Sequence, residues 1–96
     1  ALGNLGNAYR SLGQYEESIG HHRQHLEIAQ QIGDRWGEGA SLFNMAVTLA
    51  ELERFDEALQ QYQQALAIFQ ELKLDHLIKE CQQAIAQTNE VIAELG

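Results

Sequence analysis

Residues 15–32, YEESIGHHRQHLEIAQQI, and residues 55–72, FDEALQQYQQALAIFQEL, are two copies of one segment written 40 positions apart. In the first copy Tyr15, Ser18, Ile19, His22, His25, Leu26, Ala29 and Ile32 follow the three-and-four spacing of a single helix face, and Phe55, Ala58, Leu59, Tyr62, Ala65, Leu66, Phe69 and Leu72 repeat it. The correspondence extends outward in both directions. Leu2, Asn4, Leu12, Glu17, Gln24, Leu26, Ile28 and Gln30 recur unchanged as Leu42, Asn44, Leu52, Glu57, Gln64, Leu66, Ile68 and Gln70, and Leu5, Gly6, Tyr15 and Ile19 become Met45, Ala46, Phe55 and Leu59. A unit of this length cannot bury its own apolar face, so adjacent units must stack into a solenoid.

Upstream of each copy lies a second helical stripe: Leu2, Leu5, Gly6, Tyr9 and Leu12, then Leu42, Met45, Ala46, Leu49 and Leu52. Each repeat therefore holds two helices. Leu12-Gly13-Gln14 and Leu52-Glu53-Arg54 read as tight turns within repeats; Gly33 supplies a left-handed helix end, and Asp34 and Asp75 the caps of the helices that follow. The pattern predicts helices over about 1–12, 15–32, 35–52, 55–73 and 76–95. The last should turn Leu77, Cys81, Ala84, Ile85, Thr88, Ile92 and Leu95 inward and leave Gln82, Gln83, Gln87, Glu90 and Glu94 in water, as a closing helix does. The expected fold class is all-α, an α-solenoid of antiparallel helix pairs with about five helices.

Composition narrows the functional classes. A net charge of -8, with Arg10, Arg23, Arg35, Arg54, Lys73 and Lys79 scattered singly, argues against nucleic-acid partners and against an anionic membrane surface. No apolar run approaches the roughly 20 residues of a membrane-spanning helix. Cys81 has no second cysteine to pair with, which points to a reducing cytoplasm. The chain opens on a helical pattern without an initiating Met or a cap, the expected look of a segment of a longer array.

Leu5-Gly6, Tyr9, Gly13, Tyr15, Ser18 and Leu26, with Met45-Ala46, Phe55, Ala58, Tyr62, Ala65 and Leu66, resemble the tetratricopeptide repeat. The usual repeat has about 34 residues, and Gln30 and Gln70 stand where its Pro would be, so the longer spacing here resembles the long-repeat subfamily. That subfamily includes G-protein-signalling modulators, kinesin light chains and bacterial, notably cyanobacterial, scaffold proteins. The resemblance implies a single domain over 1–96, with repeats at about 1–33 and 34–73 and a closing helix at about 75–95. It also implies a protein–protein interaction module, not an enzyme, that binds a peptide or helix of a partner in a concave groove lined by the first helix of each pair.

Carried onto this chain, the groove positions are Asn4, Asn7 and Arg10 with Gly3 and Ser11; Phe43, Asn44, Val47 and Glu51 with Ala50; and Gln87 with Gln83, Ala84 and Glu90. An Asn inside a helix costs propensity, and its amide both donates to and accepts from a peptide backbone. Some members clamp a carboxylate with Lys and Asn. Asn7 and Asn44 match that clamp, but Gly3 and Ala84 stand at its basic positions, so a mixed ligand that meets Arg10 and the apolar pair Phe43 and Val47 is expected instead.

Other constellations have structural explanations. His21 and His25 are one helical turn apart, but no Cys or carboxylate completes a four-ligand set, and His22 and His25 fill the packing slots of Tyr62 and Ala65. No metal or cofactor is expected. Glu16-Glu17 and Asp56-Glu57 begin helices, where negative charge meets exposed amides. Gly3, Gly6 and Gly13 follow no strand and lack phosphate-loop spacing. Cys81 reads as a buried thiol, and Trp36 as a seal between repeats. Two roles stay open: a peptide-binding groove, and a structural spacer or homo-oligomerisation segment that self-associates through its N-terminal edge.

Overall fold

A computed structural model of the chain describes residues 14–95. Across them run four helices, α1 (Tyr15–Ile32), α2 (Arg35–Glu51), α3 (Phe55–Glu71) and α4 (Asp75–Leu95), and no strand occurs among the described residues. The expected helix over 1–12 lies outside the described residues. The others match the expected segments, with α2 and α3 ending a residue or two early. Each helix packs on its successor in the chain, α1 on α2, α2 on α3 and α3 on α4.

The three joints share one geometry. At the end of α1 the Gly33 N–H donates to the Gln30 carbonyl and the Asp34 N–H to that of Ala29; after α2, Glu53 donates to Ala50 and Arg54 to Leu49; after α3, Lys73 donates to Gln70 and Leu74 to Phe69. This paired bonding closes the exposed carbonyls of a helix end around one left-handed residue. Gly33 takes that conformation at φ 74°, but so do Glu53 at φ 62° and Lys73 at φ 57°, where a Cβ makes it costly. Asp34 caps α2 as expected, its Oδ1 accepting from the Gly37 N–H at 2.9 Å. Asp75 differs from expectation: the Leu74 carbonyl already accepts from the Ile78 N–H, so Asp75 is the first helical residue and its charge complements the helix dipole instead.

Both inner stripes meet in one core. Leu42, Met45, Ala46 and Leu49 of α2 are buried with Ala58, Tyr62, Ala65, Ile68 and Phe69 of α3, Ile19 of α1 and Cys81 of α4. Ala46, Ala58 and Ala65 have no exposure at all, which marks where backbones come closest. Gly39 extends this contact: a Cβ there would lie 2.7 Å from Cε1 of Phe69 and 3.1 Å from Cγ2 of Ile68. Thr48 and Thr88, again 40 apart, are buried polar residues. Each hydroxyl donates to the carbonyl one turn back, Asn44 at 3.1 Å and Ala84 at 2.8 Å, so neither is left unsatisfied. Of the residues expected inside α4, Cys81 and Thr88 are buried and Leu77, Ala84, Ile85 and Ile92 half-buried, whereas Leu95 in the last turn is exposed.

Two arginines staple the surface. Arg35 at the start of α2 makes a bidentate pair with Glu71 at the end of α3, both contacts 2.9 Å, and reaches Glu38 at 2.9 Å. Arg54 joins Glu57 at 2.7 Å and Glu16 of α1 at 3.3 Å. These carboxylates raise both guanidinium pKa values further, and Arg35 lowers that of Glu71.

Two of the helical glycines, Gly39 and Gly20, predict opposite outcomes for one substitution. Gly39→Ala drives a methyl into the Phe69 ring and should destabilise by about 1–3 kcal/mol despite better helix propensity. At Gly20 an added Cβ meets nothing within 4 Å, so Gly20→Ala should stabilise by roughly 0.5–1 kcal/mol. Urea denaturation of both variants measures the two signs.

Candidate protein-interaction surface

On α2 the expected groove positions divide into two kinds. Phe43 and Val47 are half-buried and pack against the core, Phe43 standing edge-on to Tyr62 of α3 with ring centroids 5.3 Å apart at 66°. That geometry suits the aromatic quadrupoles and holds the Phe43 ring in place. Asn44 and Glu51, two helical turns apart, are exposed, as is Gln87 on α4. The structure thus presents polar heads beside a fixed apolar base on α2. Gln87 belongs to α4, which packs on α3. Asn4, Asn7 and Arg10 lie outside the described residues.

The Asn44 side chain makes no hydrogen bond among the described residues, although its carbonyl accepts from Thr48. Its amide opens on a cleft of ≈ 460 Å³ between α1 and α2, walled by Ile28 and Ile32 on one side and by Trp36 and Ala40 on the other. Ile28, Ile32 and Trp36 are respectively 54%, 71% and 56% exposed, a contiguous apolar strip. Three residues depart from expectation here. Trp36 does not seal a joint, because backbone bonds and the Asp34 cap already close it, and Ile32 lies off the packed face. His25 is likewise exposed on this cleft and is not a packing residue, while His22 is half-buried. Trp36 and Ile28 were not read as surface residues from sequence. The usable signal was the mismatch between Trp36 and its copy, His76.

No described group of three or more His, Cys, Asp or Glu could hold a metal ion, and no described helix is long and apolar enough to cross a membrane. The Cys81 thiol is fully buried, and desolvation pushes its pKa up to about 11, with Glu80 adding to the shift. It is the opposite of an activated nucleophile. Burial also raises Tyr62, helped by Cys81 and Glu51.

Residues 1–71 match the family model of the tetratricopeptide repeat. The chain belongs to the tetratricopeptide repeat family. Repeats of this family generally mediate protein–protein interaction and are not themselves enzymes. Human G-protein-signaling modulator 1 is 44% identical over 54 residues, a stretch covering 56% of this chain but 8% of that much longer protein. A designed protein solved by NMR in solution superposes with a TM-score of 0.80 at 13% identity, over 85% of this chain and 82% of its own, a likeness of fold.

Cys81 sets an alkaline limit on this tetratricopeptide fold. Its folded pKa is raised, so the stabilising protonated thiol is fully present below the unfolded value near 9 and is lost as pH rises toward about 11. Urea midpoints should therefore fall between pH about 9 and 11, with a slope of at most roughly 1.4 kcal/mol per pH unit from this group. The slope should shrink in Cys81→Ala.

Proposed function

We propose that this chain is a protein-binding segment that receives a peptide or helix of another protein along the face carrying Phe43, Asn44, Val47 and Glu51 of α2 and Gln87 of α4. The segment performs no chemistry of its own. Residues 1–96 act as one repeat domain within a longer, cytoplasmic protein, a setting that suits an unpaired buried thiol. The observation that carries this reading is Asn44: an unpartnered amide in the middle of a helix, next in sequence to the held Phe43 ring and lining an apolar cleft. Solvated helix faces favour residues of better propensity, whereas a peptide backbone uses both the donor and the acceptor of an amide.

The apolar strip supports a second role, self-association. Ile28 is 54% exposed while its copy Ile68 is 5% exposed, covered on the Gly39 side of α2. A second copy laid over Ile28, Ile32 and Trp36 would remove the same kind of surface from water.

Peptides selected from a random display library against the chain should shift the NMR signals of Phe43, Asn44, Val47, Glu51 and Gln87. Asn44→Ala should weaken them about tenfold, equivalent to roughly 1.4 kcal/mol, without lowering the melting temperature, since Ala is the better helix former. Peptides that bind elsewhere, or that bind Asn44→Ala equally well, would sink the groove reading. Self-association is checked separately by light scattering over a concentration series. A mass that rises with concentration and collapses to monomer in Ile28→Glu supports it; a constant monomer mass rules it out.

A further inference from the structure

A second cleft, of ≈ 300 Å³, opens between α1 and α3 above α2, away from Asn44. Its floor is Leu42, Met45 and Leu49, all buried, and its walls include Gly20 and Arg23 of α1 and Gln61 of α3. Three observations single it out. The Oε1 atom of Gln61 is buried yet accepts no hydrogen bond among the described residues, and buried polar atoms are nearly always satisfied. Gly20 sits mid-helix with nothing within 4 Å of where a Cβ would be, so packing does not explain a residue that costs helix stability, and its copy is Gln60. The missing side chain leaves this wall of the cleft open. Arg23 makes no ion pair among the described residues, whereas Arg54 at the rim is held by Glu16 and Glu57.

These features describe an occupant. The volume is at the low end for ligand sites and admits a side chain, not a helix. Two arginines, Arg23 and Arg54, balance two glutamates, Glu16 and Glu57, so this patch is neutral on a chain of net charge -8 and favours an uncharged group. Gln61 Oε1 needs a donor, the floor needs an apolar body, and a free planar guanidinium at the wall stacks on an aromatic face. Indole joins an apolar ring to a single N–H donor and is the strongest partner for a cation. We propose that this cleft receives a tryptophan side chain of a partner protein, its ring on Leu42, Met45 and Leu49, its N–H donated to Gln61 Oε1 and its face against Arg23. The site is independent of the Asn44 face and adds a second point of contact for a partner that spans both sides of the helix pair.

The test is a titration of N-acetyl-tryptophanamide into the isotopically labelled chain, followed through the Gly20 backbone amide and the Gln61 side-chain amide. Saturable shifts with Kd of about 1–10 mM are expected for so small a probe. The 1-methylindole analogue, which lacks the N–H, should bind at least about threefold more weakly, and N-acetyl-leucinamide more weakly still. In Gln61→Met the unsatisfied acceptor is gone, so thermal stability should hold or rise while the difference between the indole and its methylated form vanishes. Gly20→Leu fills the cleft and should abolish binding with the circular dichroism unchanged. If that variant misfolds, Arg23→Ala serves in its place and should weaken binding severalfold. Absence of saturable shifts, shifts confined to the Asn44 and Trp36 face, or equal affinity for the methylated analogue overturns the proposal.

Discussion

The structure rests on how closely α2 and α3 approach. Ala46, Ala58 and Ala65 are completely inaccessible, and Gly39 lets the Phe69 ring lie where any Cβ would strike it. Interaxial distance follows from the side chains at the crossing, and small ones bring the backbones together. Once this contact is made, Phe69 and Ile68 are enclosed, Tyr62 meets the edge of Phe43, and the orientation of α2 about its own axis is set. Asn44 and Glu51 are outward because Met45, Ala46 and Leu49 are inward.

A solenoid also needs each joint to repeat the last. All three described joints close with the same pair of backbone hydrogen bonds around a left-handed residue, though only one uses glycine. At Glu53 and Lys73 the strained conformation is held by the packing on either side of the turn, an instance of tertiary structure overriding local preference. The arginine pairs add little at such exposed positions. Their larger effect is on the charge pattern, since Arg35 is committed to Glu38 and Glu71, and Arg54 to Glu16 and Glu57.

Divergence between copies is where function is to be sought, and it takes two forms. In one the residues differ: Gly20 replaces Gln60 and opens a cleft, and Asn44 replaces Ala84 and presents an amide. In the other the residues are identical and the surroundings differ: Ile28 and Ile68 are the same side chain at the same repeat position, one exposed and one buried. Identical chemistry at nonequivalent positions of an array therefore has different consequences, because each repeat is completed only by its neighbour.

The sequence alone determined the helical class, the 40-residue unit, the helix limits to within a residue or two, the Asp34 cap and most of the core, because all of these follow from periodicity and local chemistry. The family resemblance also marked Asn44 as a groove residue, an amide inside a helix. Tertiary structure decided what periodicity cannot encode. Trp36, Ile32 and His25 share the apolar or packing pattern of their neighbours yet stand in the open, while Phe43 and Val47, expected to face a ligand, are partly buried against the core. Neither the Gln61 acceptor nor the cleft beside Gly20 left a trace in the spacing of residues. Both depend on which side chains three separate helices bring to one point, and burial at that point is a property of the assembled helices, not of any one of them.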